Sequence, residues 1–313
     1  MKTLYFDCFS GISGDMVIGA LLDAGADPHH LVTELKKLHF HDEYELKWQK
    51  VVKNGITSTK FDVILKNDSH HHEHTHSHNH DHDHHHEHSH SHDHDHDHHH
   101  EHSHSHDHDH DHHHEHSHSR DHDHDHHHEH SHSHHHDHGH HHHHDHRAYK
   151  DIVKMINDSE LAPEVKDMSL RIFKKIGEAE GLIHGLPLEK VHFHEVGAVD
   201  SIIDIVGVAI LLQQLEISSI KSSSVPVGTG KIHIDHGIYP VPAPATLEIL
   251  KGVPIEQSDV RFELTTPTGA GIISVLTDEF CTLPTMKVAS IGYGAGTKTF
   301  KDRPNVLRVI IGE

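Results

Sequence analysis

Between Val191 and Val206 the sequence reads VHFHEVGAVDSIIDIV. Two imidazoles and a carboxylate stand before a turn, and two more carboxylates lie beyond it. Read as a strand, the segment puts His192 and His194 on one face and Glu195 on the other. Gly197 permits the turn, and Asp200 and Asp204, four residues apart, share a face of a helix running from Asp200 to about Leu215. Two imidazoles with one or two carboxylates suit nickel, zinc, manganese or iron and leave positions open for a substrate. The plainer alternative stands beside it: Asp200 as a helix cap, and either histidine as a hydrogen-bonded core residue.

Other segments carry residues that could hold a ligand. In YFDCFSGISGDM a short strand, Leu4–Asp7, gives way to a small loop and then a helix with Asp15 in its cap or first turn. Ser10, Gly11, Ser13 and Gly14 then present backbone N–H groups and a helix start to one spot, which favours an anion such as phosphate. A well-capped turn with no ligand explains the same residues. ELTTPTGAGIISVL repeats the strand, small-residue loop and helix, with Thr265, Thr266, Thr268 and Gly269 as donors. Gly292, Gly294 and Gly296 suggest a close approach of backbone to ligand, or a bulge. His233 and His236 fall on one strand before proline-rich turns; they cannot share its face, so they read as a loop wall turned toward the site. Cys8 is either a transient thiolate ligand or, more commonly, a small buried side chain.

These residues need elements to hold them. A helix around His30–Leu38 precedes two strands, YELKWQKVVKN and TSTKFDVILKN, which turn at Asn54-Gly55. Further on, Tyr149, Ile152, Val153 and Ile156 line one helix face. Val165, Met168, Ile172, Ile176 and Ala179 line another, on a helix that starts at Pro163 and stops at Gly181. The pattern predicts an α/β protein, with α+β as the variant: strand–glycine loop–helix units around a mixed sheet.

Between its two halves lies a tract, His70 to His146, that holds 46 of the 55 histidines and 18 of the 49 acidic residues. A 14-residue unit, HDHDHDHHHEHSHS, occurs intact at 92–105 and 106–119. Without apolar side chains the tract cannot offset its ordering entropy, so it is expected to be disordered when metal-free. Its imidazoles suit nickel, zinc, copper and cobalt, with little geometric selectivity. A solubilising linker is the alternative. The organisation expected is residues 1–66 as the first part of one domain, 67–148 as an inserted metal-binding loop, and 149–313 as the second part with the site.

Outside the tract the charge is mildly negative and no basic patch occurs, which argues against nucleic acid. Two cysteines form no disulfide framework, and no apolar run approaches the ~20 residues of a membrane span. With no apolar signal core at the start, a cytoplasmic protein is expected, away from membranes.

Taken together, YFDCFSGISGDM, VHFHEVGAVDSIIDIVG, HGIYPVPAPATLEILKG, ELTTPTGA and GYGAG resemble the nickel-insertion protein family (LarC) of nickel-pincer nucleotide cofactor biosynthesis. The motifs occur in order across 1–66 and 149–313. The resemblance implies a cyclometallase that inserts Ni2+ into pyridinium-3,5-bisthiocarboxylic acid mononucleotide, forming two Ni–S bonds and one Ni–C bond. CTP is consumed, with Mg2+ or Mn2+ assisting. For that chemistry the residue types and spacing single out His192, His194, Asp200, Asp204, His236 and the tract as candidate nickel donors, and Glu195, Asp15 and Asp7 as catalytic candidates, since a Ni–C bond requires a base for the ring proton. Full-length members continue into a cytidine-nucleotide-binding region, expected here as a separate or frameshift-fused polypeptide; a homo-oligomer is compatible. The competing expectation is a nickel or zinc store or metallochaperone that performs no chemistry.

Overall fold

The computed structural model describes residues 1–66, 147–193, 196, 198–234 and 237–313. The tract, His194, Glu195, Gly197, Asp235 and His236 lie outside the described residues. The chain divides into two units, 1–71 with 141–313 and 72–140, and every described residue belongs to the first.

Strand β1 (Thr3–Asp7) leads into α1 (Gly14–Asp23) and α2 (Pro28–Leu35). Helix α2 starts at Pro28 because Asp27 caps it, accepting the His29 N–H; a 3-10 turn, Lys36–Leu38, takes up the rest of the expected helix. Strands β2 (Tyr44–Lys53) and β3 (Ile56–Leu65) form the expected hairpin, and both Asn54 and Gly55 have positive φ, as its two-residue turn demands. After the tract come α3 (Tyr149–Asp158), α4 (Pro163–His184) and α5 (Val199–Gln214). The chain closes through β4 (Ser219–Ser222), β5 (Val225–Pro226), β6 (Lys231–Ile234), β7 (Gly237–Pro240), α6 (Pro244–Ile249), β8 (Ile255–Glu256), α7 (Pro267–Leu276), β9 (Glu279–Phe280), β10 (Val288–Ala295) and β11 (Val306–Gly312).

Seven strands form one mixed sheet in the order β2-β3-β10-β11-β1-β4-β9. β1 runs parallel to β4 and β4 to β9, while β11 lies antiparallel between β10 and β1. The expected α/β class with a mixed sheet is therefore present. Helix α5 is buried on nearly every side and packs against α1 and α4; Ile202, Ile203, Val206 and Ile210 are fully enclosed. Helix α1 rests on β10 and β3. Gly292 and Gly294 make that possible, because a Cβ on either would enter the α1 backbone at Ala20 O or Met16 O. The close approach foreseen at these glycines is thus to a helix of the chain itself. At the far end of α1, Asp23 accepts from Thr59 Oγ1 at 2.8 Å and from the Tyr293 N–H at 2.9 Å, which ties the helix to both strands.

Four local expectations change. Helix α4 passes Gly181 and stops at Gly185, which has φ 65°; Leu186 N–H returns to Gly181 O at 2.8 Å in a Schellman closure, so Gly181 lies one turn inside the end. His192 lies in no strand: among the described residues its pairing neighbour is Ala148, in an isolated bridge. The stretch holding His233 is a hairpin, β6 reversing into β7, not one continuous strand. The ELTT segment offers a single bridge, Thr265 with Ile12, in place of a strand.

Candidate functional site

The site is assembled by that bridge. Ile12 N–H donates to Leu264 O at 3.0 Å and Thr266 N–H donates to Ile12 O at 3.2 Å, which lays the starts of α1 and α7 side by side. Gly11 has φ 96°, and a Cβ there would enter Leu264 O, so this crossing admits no side chain. Thr266 caps α7, its hydroxyl accepting Gly269 N–H at 3.2 Å. Ser13 occupies the cap position of α1 but gives its hydroxyl to Asp15.

The start of α1 meets α5 instead. A Cβ on Gly14 would lie 2.5 Å from both Cβ and Oδ2 of Asp204, so the carboxyl sits directly on the first turn of α1 and receives the Asp15 backbone N–H. Burial pushes the Asp204 carboxyl well above the usual carboxylate range. Asp15 and Asp200 add repulsion, and Lys60 and the Asp15 N–H pull only partly the other way. Its Oδ1 is sealed from solvent and has no hydrogen-bond partner among the described residues.

In front of these three helix starts opens a cavity of about 410 Å³. Ser13, Gly14 and Asp15 of the α1 region, Asp200, Ser201 and Asp204 of α5, and Thr266 to Thr268 of α7 form one side. Lys60 to Val63 of β3 form another, with Ile232 of β6 and Glu263 completing it. Lys60 is 8% exposed. Its ammonium donates to Asp15 Oδ2 at 2.8 Å and to Phe61 O at 2.7 Å, and pairs with Asp62 Oδ1 at 2.8 Å. Burial alone would lower its pKa, but Asp15 and Asp62 outweigh that and raise it, so the ammonium stays charged.

Seven of the residues singled out from the sequence therefore face one cavity: Ser13, Gly14, Asp15, Asp200, Asp204, Thr266 and Thr268. Gly269 lies just behind, against Ile12 O. Others have different surroundings. Asp7 is held by Arg308, whose Nε donates to Oδ2 at 2.8 Å, and it lines a separate depression with Cys281. The Ser10 hydroxyl donates to Pro304 O at 2.7 Å and is buried. His192 is exposed and does not line the cavity. His194, Glu195 and His236 lie outside the described residues, and among the described residues no group of three or more ligand-type side chains could hold a metal. The Cys8 thiol is fully buried, and burial pushes it up to about 12, which leaves no thiolate.

Sequence reasoning missed Lys60, Asp62, Ser201 and Glu263. A signal existed for the first two: in TSTKFDV, strand periodicity sets Lys60 and Asp62 on the same face, beside Thr59 and Phe61 that point into the protein.

The family model described as "Nickel insertion protein" matches residues 4–313. A protein of Geobacillus kaustophilus named pyridinium-3,5-bisthiocarboxylic acid mononucleotide nickel insertion protein is 46% identical over 316 residues, covering 100% of this chain and 60% of the relative. Proteins of the same name from Staphylococcus epidermidis and Clostridium acetobutylicum are 41% and 45% identical, with 59% and 64% of their lengths covered. The chain thus spans about 60% of the length of such relatives. No solved structure matches it.

Proposed function

The chain belongs to the nickel insertion protein family, and from that premise we propose that it handles nickel for insertion into pyridinium-3,5-bisthiocarboxylic acid mononucleotide, the compound in its relatives' names. The observation that carries this reading is the cavity where α1, α5 and α7 begin, with the half-satisfied Asp204 carboxyl at its base. Helix starts and threonine hydroxyls suit the mononucleotide's phosphate, and carboxylates suit a metal delivered to it. Nickel is cargo in this reading. Asp200 and Asp204 supply oxygen donors weak enough to release it, and His194 and His236 complete the donor set. The ring carbon gives up its proton as the metal–carbon bond forms; Glu195 or Asp15 is the base that takes it. Asp15 is the better placed of the described carboxylates, since Lys60 and Ser13 fix both its oxygens. The histidine tract gathers nickel upstream of this step, in the cytoplasm. CTP with Mg2+ or Mn2+ belongs to the same reading and engages the part of the relatives that lies beyond the matched length.

The test supplies the full chain with nickel, CTP, Mg2+ or Mn2+ and the dithiocarboxylate mononucleotide, with and without the remaining region of a longer relative. The mass of the nickel product is followed. Product that appears on adding that region, and is lost in Asp204→Asn, supports a nickel-handling half of a cyclometallase. No product in either case, with nickel bound by the tract alone, leaves a metal store.

A further inference from the structure

Two loops at the edge of the cavity carry groups of another kind. One precedes α7 and holds Glu263, the other follows β10 and holds Thr297, and both residues line the cavity. Next to them in the chain stand Phe262 and Lys298, and the Lys298 ammonium lies over the Phe262 ring, 5.6 Å from its centre. Phe300 meets the same ring edge-on, with the centres 6.1 Å apart. Phe262 is exposed, and neither phenylalanine belongs to the hydrophobic core or packs against it. The ring pair therefore does nothing to fill the interior, and it leaves apolar surface in water at the mouth of a cavity. Lys298 is exposed and meets no carboxylate among the described residues, so the ring face is the counterpart of its charge. The backbone holds both loops in place. Thr229 N–H donates to Val260 O at 2.8 Å and Leu264 N–H to Val227 O at 3.3 Å. Lys298 O accepts from Asn305 Nδ2 at 3.0 Å and from Lys53 Nζ at 3.2 Å. Arg303 ties the second loop to Asp259 of the first at 3.0 Å. A ligand thus meets a platform already formed, and little ordering entropy is lost on binding.

A cation over an aromatic face is attracted by the quadrupole of the ring, and a pyridinium spreads its positive charge over a plane that can lie flat on such a face. We propose that Phe262 is the platform for the pyridinium ring of the mononucleotide, and that Lys298 holds an acidic substituent at the edge of that ring. The pyridinium takes the place over Phe262 that the ammonium occupies in the free protein. The ammonium swings on its flexible stem to the substituent. One cation replaces another on the ring face, and the displaced one gains an ion pair. The inference rests on the function proposed above, with the ribose phosphate directed into the cavity, and it names the residues that choose the ring. A mononucleotide with a neutral base forfeits the attraction to the Phe262 face. One whose pyridinium bears an amide forfeits the ion pair.

Calorimetric titration of the full chain tests this at about pH 8, where imidazole is neutral, with a chelator keeping the tract free of metal. Three ligands that share a ribose phosphate are compared. Nicotinic acid mononucleotide has a pyridinium with a carboxylate, nicotinamide mononucleotide a pyridinium with an amide, and uridine monophosphate a neutral ring. The carboxylate ligand is expected to bind about threefold more tightly than the amide. The amide in turn should bind about threefold to tenfold more tightly than uridine monophosphate. Phe262→Leu removes the preference for a charged ring, and Phe262→Trp keeps or strengthens it. Lys298→Gln removes the preference for the carboxylate and leaves the amide bound at least as well, since no ammonium competes for the ring face. Both side chains are exposed, so the core is untouched, and thermal melts check it. Equal affinity for the three ligands overturns the inference, as does failure of all three to bind. A charged-ring preference that survives Phe262→Leu, or a carboxylate preference that survives Lys298→Gln, overturns it too. Nickel product without these preferences removes the inference and leaves the proposed function; the preferences without product do the reverse.

Discussion

Asp204 concentrates the chemistry of the site in one side chain. A carboxyl whose folded-state pKa is raised favours the folded state when protonated; that contribution is present below the unfolded value, about 4, and is lost as pH rises through the folded value. At neutral pH the metal-free protein therefore carries a strained acid. Asp204→Asn is expected to be more stable than the parent at pH 7 by on the order of 1 kcal/mol, with the difference closing as pH falls toward about 4. Denaturant titrations of the metal-free proteins across that range measure it, and a parent that is the more stable at pH 7 contradicts it. Gly14 is the other half of the arrangement. Gly14→Ala drives a methyl into the Asp204 carboxyl, and a cost of about 1–3 kcal/mol is expected, with the site disturbed as well. In an Asp204→Gly background the same change should cost much less, which a double-mutant cycle reads directly.

At the scale of elements, close backbone approaches decide where the helices sit. Two glycines on α4 make the contrast. Gly185 stands at φ 65° with open space around it, so Gly185→Ala meets only backbone strain, about 1 kcal/mol. Gly181 has ordinary helical φ, yet its Cβ would lie 2.7 Å from Leu186 O; Gly181→Ala fails by collision in the Schellman turn and should cost at least as much. Chemical denaturation of both separates the two causes if Gly185→Asn, which tolerates the left-handed region, recovers most of the loss. The sequence pattern placed the apolar stripe of α4 on the core side, since Val165, Ile172, Ile176 and Ala179 are buried and Met168, partly buried, packs against the core. It placed the stop one turn early because a glycine announces a possible end, and only the hydrogen bond from Leu186 fixes which glycine supplies it.

For the whole molecule, the division of labour between tract and cavity is the point to test. Under the proposed function, when residues 70–146 are replaced by a short glycine–serine linker and the remaining region of a longer relative is supplied, nickel product should still form at high nickel and fail only when nickel is scarce. Failure at every nickel concentration means the tract does more than gather metal. Nickel held by the full chain should be released as pH falls through about 6.5, because protonated imidazole is no ligand. Atomic absorption after dialysis at successive pH values gives the profile, and the linker variant should lack that step.

Much of this protein is legible in its residues alone. Apolar periodicity gives the helices, Asn54-Gly55 gives the hairpin turn, and the loop–helix starts at Ser13 and Thr266 mark two of the segments that build the site. Those signals are local: each depends on side chains a few positions apart, which the chain carries wherever it folds. Tertiary structure alone decided three matters. It showed that Gly292 and Gly294 serve the seating of α1, because the partner backbone lies some 270 residues away in sequence. It brought Lys60 and Asp62 from a distant hairpin to face Asp15. It also filled the expected anion position with Asp204 of another helix. Charge in a cavity is a sum over elements that meet only in the folded chain, so no window of sequence contains it.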